Sequence, residues 1–142
     1  MRVDQILSAK GRDVATIPAA APQSEAVRQL NAFRIGALVV LDTRGEMAGI
    51  LSERDVMRKI ESDPVAALAA PVRQAMTAPV VTTTGEAGIE EIMALMTRQR
   101  IRHLPVLEGR EIIGIVSIGD VVKAKLDEST HEAEALKAYI AS

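Results

Sequence analysis

The sequence predicts an α+β fold, α/β-like in its order of elements, that is made of two successive β-α-β-β-α repeats. The main observation is a motif that occurs twice. Gly49-Ile50-Leu51-Ser52-Glu53-Arg54-Asp55 returns 65 positions later as Gly114-Ile115-Val116-Ser117-Ile118-Gly119-Asp120. A second observation is size, because a lone unit of about 60 residues buries too little surface to be very stable. We therefore expect the two repeats to share a core.

Each repeat gives the same prediction in chain order. A short extended piece precedes an amphipathic helix whose apolar residues follow i, i+3, i+4, i+7 spacing. Two apolar strands then enclose a tight turn, and a last helix begins at the repeated serine. The extended pieces are Val14 to Ile17 and Val80 to Thr82; the helix faces are Ala26, Val27, Leu30 and Phe33, then Ile89, Ile92, Met93 and Met96; the strand pairs are Ala37 to Leu41 with Met47 to Leu51, then His103 to Leu107 with Ile112 to Val116.

These patterns divide the chain into four predicted segments. Residues 1–60 hold the first repeat with a short N-terminal amphipathic turn, and residues 72–127 hold the second repeat. Residues 61–71, rich in Ala and containing two Pro, are the connector. Residues 128–142 are expected to form a terminal helix capped by Ser129 or Thr130. So short a helix is marginal alone, and we expect it to dock on another surface.

Composition excludes several classes of function. With 17 basic and 19 acidic side chains the formal charge is −2, which gives no reason to expect a polyanion-binding protein. Cysteine is absent, so disulfides, thiol nucleophiles and zinc–thiolate sites are excluded. No apolar run reaches the roughly 18 residues that span a bilayer, and no signal peptide opens the chain. We expect a soluble, cytoplasmic protein.

The repeated Ser-x-x-Asp motif has two interpretations. Serine at the start of a helix accepts a hydrogen bond from the first turn, and an acidic residue three positions later favours the helix dipole. The motif is then a cap worth about 1 kcal/mol. Alternatively, a carboxylate at the mouth of a helix binds a vicinal diol, such as that of ribose, beside backbone N–H groups that suit phosphate. Its occurrence in both repeats favours the second interpretation.

The chain resembles a tandem pair of CBS domains, the Bateman module, and most resembles stand-alone bacterial pairs. The two motifs above carry the resemblance together with Ile101-Arg102-His103-Leu104-Pro105-Val106 and Val72-Arg73-Gln74-Ala75-Met76-Thr77. It covers about residues 1 to 127. The resemblance implies two repeats packed sheet to sheet with pseudo-two-fold symmetry and two clefts between them. It also implies an adenine nucleotide as regulatory ligand (AMP, ADP, ATP, a NAD-type dinucleotide or S-adenosylmethionine) and a homodimer shaped as a disc, head-to-head or head-to-tail.

Site residues follow from the resemblance by position. In one cleft, Asp120 would hold the ribose diol and Arg102 and His103 would face the phosphates. The other residues of that cleft would be Ser117 and Gly119 near ribose and phosphate, Ile115 and Ile35 around the base, and backbone near Lys10, Asp13 and Ala15 at its edge. The second cleft would use Asp55 and Ser52 at the ribose, Arg54 toward phosphate, Ile50 and Ile101 around the base, and backbone near Met76, Pro79 and Val81.

Two departures between the repeats bear on these sites. The first repeat has Gly36-Ala37 where the second has Arg102-His103, so we expect the clefts to differ in affinity. Three more residues separate Leu7 from Val14 than separate Met76 from Val80. The base-edge contacts near Lys10 are therefore the least constrained by the sequence.

Catalysis is not expected. Residues 114–119 miss the Gly-x-Ser-x-Gly elbow, and the two histidines share no metal-ligand spacing. We expect no catalytic residue, no metal and no catalytic cofactor. The leading hypothesis is a regulatory module that binds an adenine nucleotide and signals to an effector protein. The alternatives are a constitutive dimeric scaffold with vestigial clefts, and a nucleic-acid-binding accessory protein that uses the basic cluster around Arg98 and Arg102.

Overall fold

Two compact units make up the protein in a computed structural model that describes residues 1–141. Residues 14–81 form the first, which we call the contiguous unit. Residues 1–13 together with the residues from 82 onward form the second, which we call the split unit. The units do not follow the sequence repeats, since the opening segment of each repeat folds with the body of the other.

The contiguous unit holds a three-stranded sheet in the order β1-β2-β3. Strand β1 is parallel to β2, with Thr16 opposite Val39, and β2 is antiparallel to β3, with Val39 opposite Ile50. Its elements are β1 (Thr16–Pro18), α2 (Gln23–Phe33), β2 (Ala37–Leu41), β3 (Met47–Ser52), α3 (Glu53–Ser62), α4 (Pro64–Ala69) and a single 3₁₀ turn (Val72–Gln74). The connector predicted for residues 61–71 thus contains a helix, whose start is capped by Asp63 accepting a hydrogen bond from the N–H of Ala66.

The split unit repeats this topology with a sheet in the order β4-β5-β6. Thr83 lies opposite Val106 in a parallel pair, and Pro105 lies opposite Ile115 in an antiparallel pair. Its elements are α1 (Val3–Lys10), β4 (Thr83–Thr84), α5 (Ile89–Gln99), β5 (His103–Glu108), β6 (Glu111–Ser117) and α6 (Ile118–Ala141). The predicted α+β fold with two β-α-β-β-α repeats is confirmed.

Aliphatic side chains fill the interior, as the low aromatic content requires. In the contiguous unit the buried cluster is Ile17, Ala26, Leu30, Leu38, Val40, Leu51, Val56, Val72 and Ala75. The prediction that Phe33 lies on the buried face of α2 is wrong, because Phe33 is the last residue of that helix and its ring is exposed. The chain turns away directly after it, at Arg34, in the left-handed conformation.

In each unit the glycine of the repeated motif is covered by a segment distant in sequence, Met76 and Thr77 over Gly49 and Leu7 over Gly114. A Cβ at Gly49 would lie 2.5 Å from Met76 Sδ and 3.0 Å from the carbonyl oxygen of Thr77. A Cβ at Gly114 would lie 2.6 Å from Leu7 Cδ2. In both units the strand must therefore lack a side chain at this position, so that the neighbouring segment can pack directly on the backbone.

Two element boundaries differ from the sequence expectations. The second extended piece was expected at Val80 to Thr82, but the strand is Thr83–Thr84, where the backbone pairs with β5. The expected helix capped at Ser129 or Thr130 is wrong as a separate element, since α6 runs unbroken from Ile118 to Ala141. No Gly or Pro interrupts residues 120–141, and nothing else in this stretch stops a helix. Ser142 lies outside the described residues.

Within residues 1–141, no helix combines the length and apolar character that crossing a membrane requires.

Candidate functional site

The strand-to-helix junction of the split unit carries a partly open carboxylate. Ser117 ends β6 and Asp120 lies in the first turn of α6. The N–H of Ser117 donates to Asp120 Oδ2 at 2.8 Å, and the N–H of Asp120 donates to Ser117 Oγ at 3.1 Å. This reciprocal pair is the capping arrangement that the motif predicts. The Asp120 side chain keeps 24% of its surface exposed.

Lys10, the last residue of α1, completes this group, which we call the Asp120 site (Lys10, Ile115, Ser117 and Asp120). Its Nζ donates to Asp120 Oδ2 at 2.6 Å and to the carbonyl oxygen of Ile115 at 2.9 Å. Asp120 Oδ2 thus accepts hydrogen bonds from both the Lys10 ammonium group and the Ser117 backbone. The sequence had suggested Lys10 only for its backbone, so the role of its ammonium group is a finding of the structure.

The Asp120 site holds its carboxyl group ionised. Burial has the largest single influence on the pKa of Asp120 and raises it. The hydrogen bonds from Lys10 and from the Ser117 backbone, with the positive charge of Lys10, together outweigh burial and lower that pKa below its ordinary value. At neutral pH Asp120 is therefore a carboxylate that only accepts hydrogen bonds.

Arg102 and His103 lie at the same end of the β4-β5-β6 sheet as Ser117. His103 is the residue of β5 directly opposite Ser117, and it is half-buried. The preceding residue, Arg102, is exposed, and its carbonyl oxygen accepts a 2.8 Å hydrogen bond from the N–H of Ile118 at the start of α6. The split unit therefore brings together Lys10, Arg102, His103, Ile115, Ser117, Gly119 and Asp120.

The contiguous unit has the same motif in a closed state, which we call the Asp55 site (Ser52, Asp55, Arg58 and Thr77). Asp55 Oδ2 accepts hydrogen bonds from the N–H of Ser52 at 2.8 Å and from its hydroxyl at 3.0 Å. Asp55 Oδ1 accepts one from the hydroxyl of Thr77 at 3.2 Å and lies 3.5 Å from Arg58 Nη2. Only 4% of the Asp55 side chain is exposed. Both carboxylate oxygens are occupied by the protein itself.

Sequence reasoning did not single out Thr77 or Arg58. Thr77 reaches Asp55 because its backbone pairs with Ile50 through hydrogen bonds of 3.0 and 2.8 Å in the two directions. Arg58 lies one helical turn after Asp55, so the spacing Asp-x-x-Arg was a readable signal.

The remaining predicted site residues fall in both units. Arg54, Ile50, Met76, Pro79 and Val81 belong to the contiguous unit with Asp55, and Asp13 belongs to the split unit with Asp120. Ile35 and Ala15, predicted for the Asp120 cleft, lie in the contiguous unit, and Ile101, predicted for the Asp55 cleft, lies in the split unit. Their assignments to a ligand remain predictions.

Among residues 1–141, no three or more His, Asp or Glu side chains are grouped so that they would hold a metal ion.

Two β-α-β-β-α units that each place Ser-x-x-Asp at a strand-to-helix junction define a small tandem-repeat module. Residues 6–62 and 72–127 each match the family model described as the CBS domain. The chain therefore belongs to the CBS domain family and carries two CBS domains in tandem. Pairs of CBS domains are generally regulatory and nucleotide-binding, and proteins made only of CBS domains are generally non-catalytic.

Known structures and relatives agree with this assignment. The crystal structure of a CBS-domain-containing protein from Agrobacterium tumefaciens has a TM-score of 0.85 at 41% identity, covering 87% of this chain and 92% of that one. A protein with CBS domains from Burkholderia ambifaria has a TM-score of 0.85 at 40% identity, covering 89% and 95%. The mitochondrial CBS domain-containing protein CBSX3 of Arabidopsis thaliana is 40% identical over 120 residues. That match spans 82% of this chain but only 58% of the relative's length.

Proposed function

We propose that the chain is a regulatory module that binds an adenine nucleotide through the Asp120 site and changes a partner protein's behaviour when the nucleotide is bound. The observation that carries this proposal is the partly exposed, ionised carboxylate of Asp120. A carboxylate that is ionised, partly exposed and held in place by Ser117 is ready to accept hydrogen bonds from the hydroxyl groups of a ribose. Bonds to such a charged acceptor contribute roughly 1.5–3 kcal/mol each.

The surroundings of Asp120 suit the rest of a nucleotide. Gly119 is exposed, and a Cβ added there would meet only Ser117 Oγ, at 3.6 Å. The first N–H groups of α6 are thus approachable by a phosphate, which the N-terminus of a helix favours. Arg102 adds positive charge at the same end of the sheet. Ile115 supplies an aliphatic surface for the base, which fits a chain with only two aromatic residues.

Lys10 takes part in the proposed binding step. A vicinal diol binds a carboxylate best with one hydroxyl on each oxygen, but Lys10 and Ser117 already donate to Oδ2. The second hydroxyl therefore replaces Lys10 at Oδ2, and the released ammonium group turns toward the phosphates. Since Lys10 ends α1, this exchange gives the nucleotide a direct effect on the position of that helix.

The Asp55 site is proposed to have a structural role. Its carboxylate is buried and both oxygens are bonded within the unit, so a diol would first have to displace Ser52 or Thr77. We therefore assign nucleotide binding to Asp120 in preference to Asp55. The sequence suggests that the two sites differ in affinity, and we propose that they differ in role: Asp120 binds the nucleotide, and Asp55 stabilises the fold.

Thermal melts and calorimetric titration test the proposal. The protein is refolded to remove any co-purified ligand and titrated with AMP, ADP, ATP, NAD and S-adenosylmethionine. A nucleotide at 100 times its Kd stabilises the folded state by about 2.7 kcal/mol. The variant Asp120→Ala should weaken that binding roughly 10–100-fold. The matched control is Asp127→Ala, on the same helix and exposed, which should bind as the parent does.

Three outcomes contradict the proposal. If no nucleotide shifts the melt, the chain is better explained as a constitutive scaffold. If Asp120→Ala and Asp127→Ala bind equally well, the ligand lies elsewhere. If salt-sensitive binding to oligonucleotides is found instead, the protein is a nucleic-acid accessory protein.

A further inference from the structure

The second half of α6 is a helix without a surface to pack on in its own unit. Val121 and Ala124 are buried, and Lys125 forms an ion pair with Glu90, so the first turns are fixed to the split unit. From Ser129 to Ala141 every residue is exposed. An isolated helical segment of this length is marginal in water. This part of the helix therefore needs a second surface packed against it to be stable.

The exposed apolar side chains of α6 follow a heptad repeat. Its a and d positions are Val122, Leu126, Ser129, Ala133, Leu136 and Ile140, with steps that alternate between four and three residues. The four large members are 45%, 62%, 59% and 74% exposed in that order. Small residues at Ser129 and Ala133 let two backbones approach closely in the middle of the stripe. We call these six residues the α6 stripe.

The α6 stripe points away from the unit that carries it. At 100° per residue the stripe is centred roughly 130° around the helix from the face that contains Val121 and Ala124. A second helix packed on the stripe thus contacts side chains that are not packed against the split unit.

Charges next to the stripe distinguish the two possible directions of a second α6. In a parallel, in-register pair the g-position Glu132 faces the e-position Lys137 of the other helix, twice by symmetry. In an antiparallel pair Glu132 faces its own copy, and Lys123 comes close to the other Lys137. Parallel packing pairs opposite charges, whereas antiparallel packing brings like charges together.

We propose that the α6 stripe binds the α6 stripe of a second copy of this chain as a parallel, in-register two-stranded coiled coil. The interface is isologous, with Leu126 and Leu136 each meeting their own copies. This proposal does not depend on the nucleotide, and it assigns to the terminal helix a role that the repeats themselves do not supply.

Single-cysteine variants test the pairing and its direction, since the parent chain has no cysteine. Ser129→Cys places a thiol at a d position, where it meets its own copy only in the parallel register. Mild oxidation should convert most of this variant to a disulfide-linked dimer. The matched control, His131→Cys, points to the outer side of the helix and should remain unlinked. The proposal is overturned if both variants cross-link at equal rates or if neither does. Cross-linking that needs a mixture of Ser129→Cys with Ala133→Cys overturns the parallel direction.

Solution mass gives an independent readout. The double variant Leu126→Glu/Leu136→Glu should halve the mass measured by light scattering. The urea midpoint of the two units should stay near the parent value because both side chains are exposed. Circular dichroism should lose at most the helical signal of residues 129–141, which no longer have a partner. Lys137→Glu should weaken the dimer roughly fivefold, and adding Glu132→Lys should restore it. A dimer that persists in the double variant places the interface elsewhere and overturns the proposal. Nucleotide titration of the monomeric variant separates this result from any failure of the proposed function.

Discussion

The Asp55 site and the Asp120 site share one motif and the same backbone hydrogen bonds between serine and aspartate. Their carboxylates nevertheless differ in exposure and in their other hydrogen-bond partners. Asp55 is 4% exposed and accepts bonds at both oxygens, including one from Thr77. Asp120 is 24% exposed, and its partner from outside the motif is the ammonium group of Lys10. The motif itself therefore builds a helix cap in both repeats. The residue from outside the motif that contacts the carboxylate, Thr77 or Lys10, differs between the two caps.

The cause of the difference lies in the segment that packs on the motif glycine. Leu7 and Met76 occupy equivalent places over Gly114 and Gly49. After Met76 the chain extends, so Thr77 pairs with Ile50 and reaches Asp55. After Leu7 the helix continues to Lys10, and the hydroxyl of Ser8 donates to the carbonyl oxygen of Asp4 within that helix. With three additional residues after Leu7, the partner of the carboxylate is thus the ammonium group of Lys10 and not a neutral hydroxyl.

Removing each carboxylate should give the largest contrast between the two sites. Asp55→Ala leaves the partly buried Ser52 N–H without its acceptor and takes the acceptor from the Thr77 hydroxyl, so we expect a loss of about 2–3 kcal/mol in the free energy of unfolding. Asp120→Ala should lose about 1 kcal/mol or less, because solvent replaces its partners. Urea denaturation measures both. Equal losses would show that the two sites do not differ in structural role.

A methyl group on the motif glycines tests the packing beneath the two sites. Gly49→Ala and Gly114→Ala should each cost about 1–3 kcal/mol through overpacking. The loss should be larger at Gly49, where the backbone oxygen of Thr77 is among the close atoms, than at Gly114, where only the Leu7 side chain must move. Thermal unfolding of the two variants checks the order, and a larger loss at Gly114 would contradict it.

Gly119→Arg makes the Asp120 site resemble the first repeat, which has Arg54 at this position. The added side chain finds open space, so the urea midpoint should change little. It covers the first N–H groups of α6, and nucleotide affinity should fall by about tenfold or more. Calorimetric titration is the measurement. Full affinity in this variant would mean that the phosphates lie away from the start of α6.

The smallest expected effect is on the pH dependence of stability. The pKa of Asp120 is lowered in the folded state, so its contribution is present above its ordinary pKa and is lost as the pH falls through the folded value. The stability difference between the parent and Asp120→Asn should therefore shrink below about pH 4. We expect a change of less than about 1 kcal/mol, because Lys10 is substantially exposed. An unchanged difference between pH 7 and pH 3 would show that the Lys10 pair adds nothing to stability.

Much of this structure was predictable from the sequence, because the strands are continuous apolar runs and the repeated motif marks both strand-to-helix junctions. The serine–aspartate caps at Ser52 and Ser117 followed from spacing alone. The partners of the two carboxylates did not, since Lys10 and Thr77 lie far along the chain from Asp120 and Asp55 and reach them only through tertiary packing. The full length of α6 was also not predicted. Ser129 and Thr130 are residue types that often cap a helix, but here the helix continues through both of them.

The two parts of the split unit are synthesised at different times, because the contiguous unit lies between them in the sequence. Residues 14–81 leave the ribosome as a continuous stretch that contains every element of its own unit. Val3 and Leu7, which are fully buried in the finished protein, must wait for β6 and α6 before they have anything to pack against. Residues 1–13 are therefore synthesised before the contiguous unit but find their place after it. Cutting the chain between the two sequence repeats would deprive both halves of the segment that covers their motif glycine.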